Sequence, residues 1–125
     1  MDQNRYDRGL AIRKDVLGAD YVDAAIRGAD DFNREMQQLV TEYAWGEIWS
    51  RPGLARRDRS LLNLAMLTAL NRPHELRLHV RGALANGVSK DEIKEVFLQT
   101  AVYCGAPAAL DSFRVAREVF AEMGV

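Results

Sequence analysis

One cysteine, three prolines and two histidines are all that 125 residues contain of the types that most often staple, interrupt or ligate a chain. The lone thiol, Cys104, cannot close an internal disulfide, which fits a reducing cytoplasm. It has no second cysteine two or three residues away, so dithiol redox chemistry is excluded. Positive charge is not in excess either: 17 Lys and Arg stand against 18 Asp and Glu, a net charge of -1. That balance argues against nucleic acid and anionic membrane as partners, because both demand a surplus of cations. No apolar run approaches the roughly 18 residues of a membrane span. The opening stretch MDQNRYDRGLAIRK is too polar for a secretory signal. A soluble, cytoplasmic protein is the expectation these absences leave, and they say nothing yet of its function.

Alternating apolar and polar segments are missing too, so no strands are expected and the fold class is all-α. The length suits one domain over residues 1–125. Prolines at 52, 73 and 107 punctuate about six helices. Asp2–Gly18 reads as a polar opening helix, Tyr21–Arg27 as a short apolar stripe. A longer helix follows from a cap at Asp30 or Asp31 through Phe32, Met36, Leu39, Val40 and Tyr43 to Trp49. Arg57–Asn71 is apolar on nearly every side, which predicts a buried helix. So small a domain has little interior to spare for one, so an oligomer is expected. Pro73 opens the next helix and Gly87 closes it. Ser89 and Glu92 form a capping box, flanked by the staple pair Val88 and Ile93. That helix places Ile93, Val96, Phe97, Thr100, Ala101 and Cys104 on one face, where a lone thiol is packing. Leu110, Phe113, Ala116 and Phe120 supply the buried face of the last.

On the helix opened by Pro73, Glu75, His79, Gly82 and Asn86 fall in one narrow sector. Leu76 and Ala83 flank it on one side, Leu78 and Ala85 on the other, while Arg77 and Arg81 lie roughly opposite. A polar stripe walled by apolar residues resembles groups facing a cavity. Glu75 and His79 are helical neighbours, so the carboxylate can take a proton from one imidazole nitrogen and leave the other for a substrate. Gly82 would leave room beside the ring. The alternative, a surface pair worth a few tenths of a kcal/mol, remains open. His74 and His79 are five residues apart, roughly 140° around the helix, so they cannot hold one metal from one face; no metal is expected.

Trp45 and Trp49 stand one turn apart, a pattern that favours core or interface, with the wall of a pocket for a flat ring as the alternative. Arg56, Arg57 and Arg59 precede a helix whose N-terminal dipole disfavours them. Binding a carboxylate is one reason to keep them there, solvation the commoner one.

Taken together, these segments resemble the carboxymuconolactone decarboxylase family. The carrying stretches are Tyr43-Ala-Trp-Gly-Glu-Ile-Trp-Ser-Arg-Pro-Gly-Leu54, Arg59-Ser-Leu-Leu-Asn-Leu-Ala-Met-Leu67 and Glu75-Leu-Arg-Leu-His-Val-Arg-Gly-Ala-Leu84. Gly87-Val-Ser-Lys-Asp-Glu-Ile-Lys-Glu-Val96 and Gln99-Thr-Ala-Val-Tyr-Cys-Gly-Ala-Pro-Ala-Ala109 complete them. The resemblance implies an AhpD-like helical domain in a homo-oligomer, a trimer or hexamer. It also sets the chain apart from the thiol branch of that superfamily. Arg72 and Glu75 stand where that branch keeps its two cysteines, His79 stands at its histidine, and Ser60 replaces its glutamate.

The implied activity is a cofactor-free decarboxylation of 4-carboxymuconolactone to β-ketoadipate enol-lactone in aromatic-acid (protocatechuate) catabolism. No cofactor is needed, because the lactone itself accepts the electrons. Under this resemblance His79 and Glu75 are the catalytic pair, with His79 protonating carbon or stabilising a dienolate. Arg59 or Arg72 holds a substrate carboxylate, Trp45 or Trp49 walls the ring, and Ser60 lines the site. Two alternatives stand beside it: a related lactone or β-keto-acid decarboxylase or isomerase, and a non-catalytic oligomeric binding protein of the same fold.

Overall fold

A computed structural model describes residues 1–125 and contains only helices. Seven are α-helices: α1 Gln3–Leu17, α2 Ala19–Arg27, α3 Arg34–Leu39, α4 Arg56–Ala69, α5 Pro73–Ala85, α6 Lys90–Cys104 and α7 Ala106–Met123. Between α3 and α4, Val40–Ile48 form a π-helical segment. The chain forms two compact units, Met1–Ala55 and Arg56–Val125.

In the N-terminal unit, α1 crosses the π segment closely enough for backbone to touch backbone. A Cβ at Gly9 would lie 2.0 Å from the Thr41 carbonyl oxygen, and one at Gly46 would lie 2.3 Å from that of Arg5. Only glycine permits such an approach. The Arg8 Nε donates to the Gly46 carbonyl at 3.0 Å across the crossing. Beneath it the Arg13 guanidinium is buried and donates to the Thr41 hydroxyl and the Gln37 carbonyl oxygen, each at 3.1 Å. Trp45 and Trp49 stack at 4.7 Å between centroids and pack with Ile12 and Val16.

The single helix expected from Asp30 or Asp31 to Trp49 is corrected: α3 begins at Arg34, and a π-helical segment follows from Val40. Phe32, Met36, Leu39 and Tyr43 are exposed, and the buried positions are Thr41, Trp45, Gly46 and Trp49. A π turn takes more residues than an α turn, so α-helical spacing does not assign the inward face beyond Val40. Asp30 caps no helix directly. Its carboxylate accepts from the amides of Phe32 and Asn33, an Asx turn that delivers the chain to α3.

In the C-terminal unit, α4 and α5 form an antiparallel hairpin closed by Asn71, whose φ of 56° lies in the left-handed region that asparagine tolerates. The core joins Leu64, Leu76, Val80, Ala83, Ile93, Phe97, Val115, Ala116 and Val119 from all four helices. Phe97 and Phe113 meet edge to face at 5.3 Å. A buried hydroxyl pair, Thr68 and Ser112 at 2.8 Å, ties α4 to α7. The capping box of α6 forms as the sequence dictates: Ser89 Oγ accepts from the Glu92 amide and Glu92 accepts from the Ser89 amide. Arg57 also donates to Glu92, so a cation that opposes the dipole of its own helix is answered by the cap of α6.

Three further expectations are corrected in this unit. α4 is not buried all round: Ser60, Leu64 and Thr68 face inward, while Leu62, Met66 and Leu70 are 49%, 49% and 63% exposed. Cys104 is exposed, because α6 ends there and its last turn runs beyond the core. Leu110 is also exposed, since the inward face of α7 is set by Ala109, Ser112, Val115, Ala116 and Val119, which lie three or four residues apart.

Candidate functional site

The helical hairpin of α4 and α5 gathers most of the predicted site residues. α5 starts at Pro73, whose ring suits the first turn. Four residues separate Glu75 from His79, and its apolar neighbours Leu76, Val80 and Ala83 draw that side of the helix into the core. The stripe is graded along the helix. Glu75 at the first turn is exposed, His79 and Asn86 are half-buried, and Gly82 is buried.

Two side-chain pairs run between the helices like rungs. Asn86 Nδ2 donates to Ser60 Oγ at 2.9 Å. One α4 turn further on, the Asn63 carboxamide nitrogen lies 3.4 Å from Nδ1 of His79. Ser60 itself is fully buried. Burial pushes the imidazole down from its ordinary 6.5 to about 4, against the opposing field of Glu75, which favours the protonated form. At neutral pH His79 is therefore a neutral ring. Glu75 acts on it as a charge, and the contact at Nδ1 comes from Asn63. Asn63 was not singled out from the sequence. The signal available was a lone carboxamide in an otherwise apolar helix, three residues after Ser60 and so on its face.

The arginines separate. Arg72 is exposed and its guanidinium donates to the carbonyls of Leu70 and Asn71 at 3.2 and 3.3 Å, finishing the end of α4. Arg59 is half-buried beside Ser60 in the first turn of α4. On the far side of α5, Arg77 and Arg81 bridge to Glu118 and Glu122 of α7, which accounts for the basic sector opposite the stripe. Trp45 and Trp49 belong to the N-terminal unit, where they are 4% and 8% exposed. A groove of about 410 Å³ between α6 and α7, walled by Phe97, Phe113 and Phe120, takes in none of these residues.

A neutral imidazole flanked by a carboxylate and held by a carboxamide can donate a hydrogen bond to an oxygen that gains charge. Comparison with known proteins narrows that chemistry. Residues 34–118, a stretch that runs through both units, match the carboxymuconolactone decarboxylase family. The 4-carboxymuconolactone decarboxylase of Acinetobacter baylyi is 45% identical over 99% of this chain and 92% of its own length. The nitrosuccinic acid decarboxylase of Metarhizium robertsii is 47% identical over 94% of this chain and 82% of its own. A 15.0 kDa protein of Paracoccus denitrificans is 36% identical over 71% of this chain and 73% of its own.

Proposed function

Because the chain belongs to the carboxymuconolactone decarboxylase family, we propose that it removes carbon dioxide from 4-carboxymuconolactone to give β-ketoadipate enol-lactone. The observation that carries this reading is the 45% identity across 99% of the chain to a decarboxylase of that substrate.

The substrate is an unsaturated lactone whose γ-carbon bears a carboxylate and an acetate arm. When the bond from the γ-carbon to the carboxylate breaks, its electron pair moves through the C=C bond into the lactone carbonyl. Carbon dioxide leaves and a dienolate remains. A proton drawn ultimately from water then adds at the α-carbon. The leaving carboxylate is already ionised at neutral pH, so no base is required. What the reaction requires is a donor at the lactone oxygen and a hold on the acetate arm. A preorganised donor at a developing oxyanion supplies the largest share of many such accelerations.

His79 suits the donor's part. Held neutral by burial, it stabilises the dienolate oxygen through an N–H, the second of the two roles its position suggests. Glu75 supplies a negative field that favours the protonated ring and so opposes the burial that holds it neutral. Arg59, half-buried beside Ser60 on the hairpin that carries His79, is the candidate for the acetate arm, while Arg72 is exposed at the end of α4. The packing of Trp45 and Trp49 with Ile12 and Val16 supports a core role for that pair.

Incubating the protein with 4-carboxymuconolactone and EDTA, with no nucleotide added, should release carbon dioxide catalytically. Saturable binding without turnover would instead support a binding protein of the same fold. A second substrate is favoured by the 47% identity to the nitrosuccinic acid decarboxylase. Nitrosuccinate also pairs a carboxylate beside an electron-accepting group with a second carboxylate on a methylene arm. Comparing kcat/KM for the two acids decides between them.

The protein acts as a homo-oligomer, a trimer or hexamer, in the cytoplasm. Support for assembly comes from Leu62, Met66 and Leu70, an apolar stripe at i, i+4 and i+8 along the outer face of α4.

A further inference from the structure

We propose that Asn63 is a positioning residue for His79, donating from its carboxamide nitrogen to Nδ1 so that the imidazole carries its proton on Nε2. This rests on the reading above, in which His79 serves the decarboxylation.

The geometry comes first. Asn63 Nδ2 and His79 Nδ1 are 3.4 Å apart, on two helices whose register is pinned one turn away by the Asn86–Ser60 bond of 2.9 Å. A carboxamide nitrogen carries two hydrogens and no available lone pair, so the contact is attractive only when Nδ1 accepts. In a neutral ring the proton must then sit on Nε2. Asn63 occupies the interior of α4, where asparagine is a weaker helix former than the leucines on either side of it.

The chemical consequence is the reverse of the familiar arrangement in which a carboxylate accepts from Nδ1–H. That arrangement presents a basic lone pair at Nε2 and favours imidazolium. A donor at Nδ1 presents an N–H at Nε2 and holds the ring back from protonation. Glu75 on α5 acts on the ring as a charge. Arg57 on α4 is tied to Glu92, and Glu118 and Glu122 on α7 are tied to Arg77 and Arg81. The decarboxylation asks for a donor and not for a base, and Asn63 selects the donor form.

The test is two-bond 1H–15N NMR of the intact protein carrying His74→Gln, which leaves one histidine to observe. The expected result is an unprotonated Nδ1 and a protonated Nε2 at neutral pH. Asn63→Asp should invert the tautomer, raise the titration midpoint of the ring and lower kcat by about tenfold or more. The shape-conserving Asn63→Leu should leave both tautomers populated while circular dichroism stays native. A wild-type spectrum with the proton on Nδ1 would overturn the inference, as would an Asn63→Asp protein whose tautomer and pH profile are unchanged. Loss of the tautomer result leaves the decarboxylase assay untouched. Failure of that assay leaves the spectrum readable, so the two claims fail separately.

Discussion

In the proposed reaction the chemistry turns on His79, and its depressed pKa makes opposed predictions testable. If the working form is the neutral donor, kcat/KM should be flat through neutrality and fall only as pH approaches about 4. An acid that must be charged beforehand would show the opposite, with activity rising as the pH is lowered through that range. The same group links acidity to stability. Its folded pKa lies below its unfolded value, so the unfolded chain binds the extra proton between roughly 6.5 and 4, and stability falls as pH drops through that window. Denaturant titrations at several pH values, compared with His79→Gln, isolate this contribution. His79→Ala should cost orders of magnitude in kcat with the fold intact, and a loss under about threefold would remove it from the mechanism. Arg59→Ala should raise KM more than it lowers kcat if the side chain holds the acetate arm. Much of this site was legible, because Glu75 and His79 share a helix and their spacing alone makes them neighbours. Asn63 was not, since its partner is sixteen residues away on another helix, and helical periodicity says nothing about which residues meet across a hairpin.

At the scale of the element, legibility follows local chemistry. Pro73, Gly87 and the Ser89–Glu92 box each fix a boundary through their own backbone or side-chain bonds, and α5 and α6 begin and end close to where those residues place them. The π segment carries no comparable mark. It packs against α1 at their crossing, a tertiary contact, so the single helix expected from Asp30 or Asp31 to Trp49 gives way to α3 and the π segment. That crossing is also the most brittle element. Gly46→Ala puts a methyl against backbone that cannot move aside, and should cost about 1–3 kcal/mol, visible as a drop of several degrees in Tm. Gly53→Ala, where a Cβ meets nothing, is the matched control.

For the whole molecule, the informative quantity is what stays apolar on the outside. The α4 stripe of Leu62, Met66 and Leu70 has no covering within the chain. If copies of the chain cover it, a charge placed in the middle of the stripe should break the assembly. Met66→Asp should then shift the light-scattering mass toward the 14.1 kDa of one chain. Wild-type Tm should rise with protein concentration, and that of the variant should not. The expectation of an oligomer came from the stretch Arg57–Asn71, apolar on nearly every side in a domain with little interior to bury it. Which of them lie outside could not be foreseen, because α4 is apolar on so many sides that its wheel marks no face. The outer stripe also has a consequence in time. A newly folded chain, still alone, exposes the surface that invites indiscriminate sticking at high concentration, yet too dilute a solution starves it of proper partners. Refolding yield should therefore pass through a maximum as concentration rises, and Met66→Asp should flatten that curve into a plateau.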